Sequence, residues 1–163
     1  MYVTTDRALS AGTAAGLADR TEVIDALYRF GLGQDLRDAE LFGSAFAADA
    51  ELDFRPAAKQ IGIDSAVMTG RDTIVSTILG LFAGRVDTTH VVTNPRVELT
   101  GDTARLTAIV EAQHMLSADH GTHALLTNLY DVDLVRDGDR WVVRRMVIDN
   151  VWFTGQPDKI FVP

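Results

Sequence analysis

The second half of this chain reads as extended segments joined by short turns, and it follows a first half that reads as helices. Turn signals at TGDT (100–103), SADHG (117–121) and RDGDR (136–140) separate segments of about 88–99, 104–116, 122–136 and 141–153. The Asp-Gly inside RDGDR is a strong hairpin signal. Segments joined this closely run antiparallel, because a parallel return needs a crossover of a dozen residues or more. Asn94-Pro95 interrupts the first segment and predicts a kink or bulge there. Helices first and a meander afterwards is the α+β pattern. The expectation is a strongly curved antiparallel sheet wrapped by N-terminal helices. Such a sheet forms a cone, and its open end is a natural ligand pocket.

Before the strands, apolar spacing predicts a helix over about 18–34 with core positions Val23, Ile24, Leu27, Tyr28 and Phe30. Gly31 and Gly33 weaken its last turns and suit a C-terminal cap. A shorter helix, about 38–47, carries Leu41, Phe42 and Phe46, and ELDF (51–54) alternates like a short strand. Residues 55–70, with Pro56 and Gly62, read as a loop. A helix over about 72–83 buries Ile74, Ile78, Leu79 and Phe82, with Asp72 as N-cap or first-turn acid. The whole chain, 1–163, reads as one domain. It has a loose small-residue arm at about 1–16. Its tail at about 154–163 is expected to pack on a neighbour or cover the pocket.

At 47% hydrophobic residues the chain is rich enough for a sizeable core. No apolar run approaches the roughly 18 to 20 residues of a membrane span, and the N-terminus has no signal-peptide pattern. There are no cysteines, which excludes disulfides and thiolate metal sites. The net charge of −8 argues against a nucleic-acid partner, because phosphate binding needs clustered cations. Arg140, Arg144 and Arg145 are the one dense basic group, and a strand would scatter them over both faces. The expected location is the cytoplasm.

Asp35 is the residue out of place. It continues the stripe Ile24, Tyr28, Gly31, next to a buried face and at a helix C-terminus, where the macrodipole disfavours a negative charge. Burial disfavours it further. Such a carboxylate needs a cationic or hydrogen-bonding partner, and His90 and His114 are the candidates in apolar strand contexts. Alternation sorts the strand side chains into faces. One row is Ala104, Leu106, Ala108, Val110, Ala112 and His114; the next is Ala124, Leu126, Asn128, Tyr130, Val132 and Leu134. Each row therefore carries polar groups among apolar ones, which costs free energy unless they are paired. His90, in TTHVV, has no direction fixed by local pattern. If it points inward, Asp35 can hold one ring nitrogen and leave the other as a general base. The plainer readings are a hydrogen-bonded core histidine, a helix-end carboxylate acting as a cap, an asparagine satisfying backbone at a bulge and a paired core tyrosine. His114, His120 and His123 match no usual metal-ligand spacing, so no metal site is expected. Asp131 and Asp133 read as a solvated strand face.

From about Arg20 to Phe153 the chain resembles the SnoaL-like branch of the nuclear-transport-factor-2-like superfamily, and within it scytalone dehydratase and related lyases. The resemblance is carried by YRFGLGQDLRDAELFGSAFAADAELDFRP, VDTTHVV, EAQHML, LLTNLY and DGDRWVV. It implies that Asp35 and His90 form the family's catalytic Asp–His pair. It also implies that His114 is the second histidine of the scytalone enzyme and Asn128 its pocket asparagine. Where that enzyme has two tyrosines, this chain has Gln34 and Phe54, which argues against scytalone itself as substrate. Tyr130 is the candidate for the missing donor.

The resulting expectation is a cofactor-independent lyase or isomerase of dehydratase type, acting on a small, largely apolar substrate. Catalytic candidates are Asp35, His90 and His114. Substrate-contact candidates are Asn128, Tyr130, Gln34, Phe54, Phe30, Leu126, Met146 and Trp152. Contact between Asp35 and His90 within about 3.2 Å is required. Alternatives on the same scaffold are a polyketide or terpenoid cyclase, an epoxide-opening enzyme, or a non-catalytic ligand-binding or assembly module. Both parities of the last strand carry large apolar side chains, so a homodimer or homotrimer is expected.

Overall fold

The computed structural model describes residues 14–162. Its elements are α1 (Ala14–Asp35), α2 (Ala39–Gly43), β1 (Phe46–Asp53), α3 (Arg55–Gln60), β2 (Met68–Thr69) and α4 (Arg71–Phe82). Four long strands follow, β3 (Val86–Thr100), β4 (Thr103–Leu116), β5 (Asp119–Asp137) and β6 (Arg140–Gly155), and then α5 (Pro157–Phe161). They form one sheet in the order β2-β1-β6-β5-β4-β3. The class is α+β, as the order of elements predicts.

The predicted meander forms: β3 to β6 pair antiparallel in sequence order. The sheet as a whole is nevertheless mixed, because β1 lies parallel to β6. Alternation fixes which face a side chain takes and not which strand lies alongside, so this long-range pairing leaves no local trace. At Asn94-Pro95 the β3–β4 register shifts between Thr93 and Arg96, and Asn94 takes φ 52°. Asparagine tolerates that left-handed conformation better than most residues. The bulge bends the strand where the sequence predicts it.

Three helical readings are corrected. Residues 55–60 form α3 rather than loop, since Pro56 sits in its first turn, where the missing N–H has no intrahelical partner to lose. The second helix ends at Gly43 and not at 47, and Phe46 already belongs to β1. Tyr28 is 51% exposed. The buried stripe of α1 runs through Val23, Leu27, Phe30 and Gln34, and Tyr28 lies outside it. The glycines of α1 serve approach rather than capping. A Cβ on Gly33 would stand 2.5 Å from the Phe42 backbone, so its absence lets α2 lie directly on α1. The left-handed residue after the helix is Arg37.

The core packs α1, α2 and α4 against the inner sheet face. Phe30, Phe42 and Phe46 stack with centroids 5.3 to 5.8 Å apart. Arg29 is buried among them and donates to the carbonyls of Trp141 (2.7 Å) and Ser44 and to Asp25 (2.8 Å). It ties α1 to β6, satisfying a charge that would otherwise be costly to bury. The tail packs on its own domain: Ile160 joins Phe82, Val86 and Ala124. Of the expected N-terminal arm, residues 1–13 lie outside the described residues and 14–16 are already helical. Among the described residues no helix is long and apolar enough to cross a membrane.

Candidate functional site

At the wide end of the sheet a cavity of about 310 Å³ opens between α1, α4, the α3–β2 connection and the inner faces of β3 to β6. Its walls are mostly apolar: Phe30, Phe54, Ile78, Phe82, Leu126 and Phe161. Its polar lining includes Gln34, His90, His114, Asn128 and Tyr130, with the exposed Asp64 and Ser65 at the rim. A larger groove of about 590 Å³ on the outer sheet face mixes carboxylates with Arg105, Arg144 and Arg145. Its charged, open lining has none of the closed apolar character of a small-molecule site.

Asp35 is the last residue of α1 and stands behind the cavity wall. Its Oδ1 lies 2.7 Å from His90 Nδ1 and accepts from Thr88 Oγ1 at 2.8 Å; its Oδ2 accepts from the His90 backbone N–H at 2.8 Å. Burial pushes the Asp35 carboxyl up, but the hydrogen bonds and charge of His90, helped by Thr88, outweigh it and hold the group below the usual carboxylate range. A carboxylate can only accept, so it keeps a proton on His90 Nδ1. Among the described residues His90 Nε2 has no partner, and His90 lines the cavity. The imidazole is thus held in one tautomer, unprotonated on the cavity side when neutral. Its side chain is only 4% exposed.

Gly31 permits this arrangement. A Cβ there would stand 3.0 Å from His90 Cβ, so the bare helix backbone makes room for the ring. Phe30 meets both His90 (6.3 Å) and Tyr130 (5.8 Å) edge-on and seals the space between them.

His114 stands opposite, its ring centroid 5.8 Å from that of His90. Burial and the charge of His90 push its pKa down to about 3, against the carbonyls of Ala112 and Ala124 and the Asp35 charge. It is therefore neutral near pH 7. Its Nδ1 faces the Ala112 carbonyl at 3.2 Å, which keeps the proton there and leaves Nε2 an acceptor. Burial and the charge of Asp35 push the Tyr130 hydroxyl up, so it stays protonated and can donate. Gln34 Nε2 donates to the Phe30 carbonyl at 3.2 Å.

The cavity thus gathers nine of the residues singled out in the sequence, with Asp35 behind His90, and leaves out two. Met146 is fully buried in the core against β1, opposite Val132, one inner-row step past Ile148, which does line the cavity. Trp152 is 46% exposed on the outside. The β5–β6 register jumps from Asn128–Asn150 to Thr127–Trp152. Val151 is the extra residue, and it turns Trp152 onto the outer face. Sequence reasoning missed Thr88, Gly31, Phe161 and Asn150. Asn150 was detectable: it follows Met146 and Ile148 on the inward row of β6, the same polar-among-apolar sign that marks His114. Among the described residues no group of three or more His, Asp or Glu side chains is arranged to hold a metal.

Comparison with known proteins bears on this geometry. A family model described as SnoaL-like domain matches residues 15–147. The terrestric acid biosynthesis cluster protein E of Penicillium crustosum is 33% identical over 155 residues, 91% of this chain and 93% of that protein. Among solved structures, the Kfla4162 protein of Kribbella flavida has the same fold with a TM-score of 0.75 at 22% identity, covering 85% of this chain and 95% of that one. The hexachlorocyclohexane dehydrochlorinase LinA-type3 of Novosphingobium barchaimii gives 0.72 at 21% identity, covering 91% and 97%.

Proposed function

The chain belongs to the SnoaL-like domain family, and from that premise we propose that it is a cofactor-independent lyase or isomerase of dehydratase type acting on a small, uncharged, largely apolar molecule. One observation carries the reading. The Asp35 carboxylate grips His90 Nδ1 at 2.7 Å, and the free Nε2 is on the residue that lines a mostly apolar, open cavity.

In the proposed reaction His90 Nε2 takes a proton from carbon beside a carbonyl group. The C–H electron pair moves toward the carbonyl oxygen. Asn128 and Tyr130 donate to that oxygen as negative charge develops on it. Asp35 stabilises the imidazolium formed. For a substrate bearing a hydroxyl one carbon further on, the electrons return, the new carbon–carbon double bond forms and the carbon–oxygen bond breaks. Hydroxide leaves with the proton that His90 carried, as water. His114 Nε2, an acceptor, fits that hydroxyl in the ground state by receiving its hydrogen bond. Returning the proton to a different carbon instead gives isomerisation. Proton transfer closes both cycles, so neither calls for a cofactor. General acid–base catalysis of this kind is worth roughly 100- to 10,000-fold.

Among the described residues no lining side chain is an arginine or lysine, which disfavours substrates carrying carboxylate or phosphate. The relative from a fungal biosynthesis cluster supports a role in small-molecule metabolism. The contact and the open cavity weigh against a non-catalytic module. The test is turnover of a panel of neutral β-hydroxy ketones and lactones, with deuterium uptake from D2O at the carbon beside the carbonyl as a second readout. His90→Ala and Asp35→Asn are expected to lose at least about 100-fold in both readouts while remaining folded. Wild-type rates in both variants reject the proposal.

A further inference from the structure

Beneath the cavity wall lies a second asparagine whose role is legible from the atoms around it. Asn150 is paired with Asn128 across β5 and β6 and is 4% exposed. Its Nδ2 is surrounded by three oxygens: Asn128 Oδ1 at 2.9 Å, the Trp152 carbonyl at 3.0 Å and the Thr127 carbonyl at 3.4 Å. An oxygen at that point would face three others, so the orientation of the Asn150 amide is forced. Its own Oδ1 is left buried with no partner among the described residues. Buried acceptors without partners are rare and call for a reason.

The reason lies on the other side of Asn128. Once Asn128 Oδ1 accepts from Asn150, its Nδ2 has to point away. Among the described residues that nitrogen has no protein partner and is not among the buried, unpartnered atoms, and the cavity is the space that Asn128 lines. An asparagine side chain alone offers oxygen and nitrogen with nearly equal ease. Here the second amide decides between them.

We propose that Asn150 is a positioning residue that fixes Asn128 as a hydrogen-bond donor into the cavity, so that the site recognises a neutral oxygen acceptor at that point and rejects a hydroxyl donor. The bulge at Val151 serves this arrangement: it leaves Asn150 on the inner face and brings the Trp152 carbonyl within reach of its amide. The kinetic consequence rests on the function proposed above. The orientation of the two amides does not.

The test uses the side-chain amide protons of the full-length protein, with asparagine labelled selectively with nitrogen-15 and carbon-13. In wild type the Asn150 amide protons are expected to exchange slowly with D2O, at least about tenfold slower than those of Asn128, and to show a through-hydrogen-bond coupling to Asn128 Cγ. In Asn150→Asp, measured at a pH where the carboxylate is ionised, the pattern reverses: an ionised carboxylate can only accept, so Asn128 turns its Nδ2 inward and its exchange slows by a similar factor. If Asn150→Asp does not fold, the wild-type coupling alone decides. A coupling from Asn128 Nδ2 to Asn150 Cγ, or equal exchange of the two amides, overturns the proposal. With a turned-over substrate, Asn150→Asp is expected to cut kcat by about 100-fold, as loss of an oxyanion donor does, with KM moving far less. Unchanged kcat together with reversed exchange would leave the orientation standing and remove its role in the reaction. Loss of activity in His90→Ala is a separate measurement, so failure of the base and failure of this device are told apart.

Discussion

His90 holds the Asp35 carboxylate twice, through its ring Nδ1 at 2.7 Å and through its own backbone N–H at 2.8 Å. One residue thus fixes both oxygens of its partner, and Thr88 adds a third hydrogen bond to Oδ1. The ring is oriented by the strand that carries it. Small changes in α1 therefore reach the imidazole directly.

Asp35→Asn keeps the shape and changes the protonation logic. An amide can still accept from the His90 backbone N–H, but its Nδ2 then faces His90 Nδ1. That nitrogen has to accept, which moves the ring proton to Nε2 and removes the base. The expected loss in kcat is on the order of 10⁴, as in other systems where the wrong tautomer is imposed. Nitrogen-15 shifts of the His90 ring check the cause: the protonated nitrogen should exchange places between wild type and variant.

Gly31→Ala separates stability from activity. Alanine raises helix propensity by about 1 kcal/mol over glycine. Its Cβ would stand 3.0 Å from His90 Cβ, so the ring has to give by a few tenths of an ångström. The expected outcome is a melting temperature unchanged or slightly raised and a kcat reduced by up to about tenfold, because misplacement by about 1 Å already costs 100-fold. An unaltered kcat would show that the ring has slack.

Much of this is legible in the sequence, and the physical reason differs from residue to residue. The inward rows of β4 and β5 were legible because period-two alternation is a local property: all twelve residues from Ala104 to His114 and from Ala124 to Leu134 are buried as predicted. Asp35 announced itself by conflict with its surroundings. The direction of His90 was not legible from its neighbours, since Thr89 and Val91 fit either face, and came only from the resemblance. Trp152 was misplaced because one extra residue, Val151, reverses the parity that put it inside. Met146 faces the right way but lies too deep, and depth along a cone depends on strand pairing that no local pattern encodes. The parallel union of β1 with β6 failed to show for the same reason.

His114 should leave a mark on stability as a function of pH. Its pKa in the folded protein is about 3 against 6.5 when free. Between those values the unfolded chain binds a proton there and the native protein does not, so stability rises with pH across that window and falls as the solution is acidified. The penalty saturates below pH 3, at about 5 kcal/mol. His114→Asn is expected to flatten the profile between pH 6.5 and 3, measured by urea denaturation at stepped pH. Asp35 acts in the same direction at lower pH. Its folded pKa is depressed, so its contribution is present above the unfolded value and is lost as pH falls through the folded one. An acid limb confined to below pH 4 would therefore remain in the His114 variant and shrink when Asp35 is also changed, the rest of it belonging to Asp19, Asp53, Asp87 and Asp119, whose carboxyls are lowered as well.

Arg85 bears on the wall formed by the C-terminal helix. Its guanidinium donates to the carbonyls of Lys159 (3.3 Å) and Ile160, in the last turn of α5, where a helix lacks internal partners. The next residue, Phe161, meets Phe82 at 6.0 Å, Phe54 at 6.3 Å and His114 at 4.9 Å, and forms one side of the cavity. A helix of five residues has little stability of its own. Arg85→Ala should therefore raise hydrogen exchange across 158–161 by at least about tenfold and leave β4 and β5 protected. With Phe161 displaced, water enters beside His114 and the apolar wall is incomplete. KM for an apolar substrate is expected to rise several-fold, and kcat to fall less. Phe161→Ala should reproduce the kinetic change without the faster exchange at Asp158 to Ile160, because Ile160 stays anchored among Phe82, Val86 and Ala124. If Arg85→Ala leaves exchange over α5 unaltered, the packing of Ile160 holds the helix unaided and the guanidinium contacts add nothing to the wall.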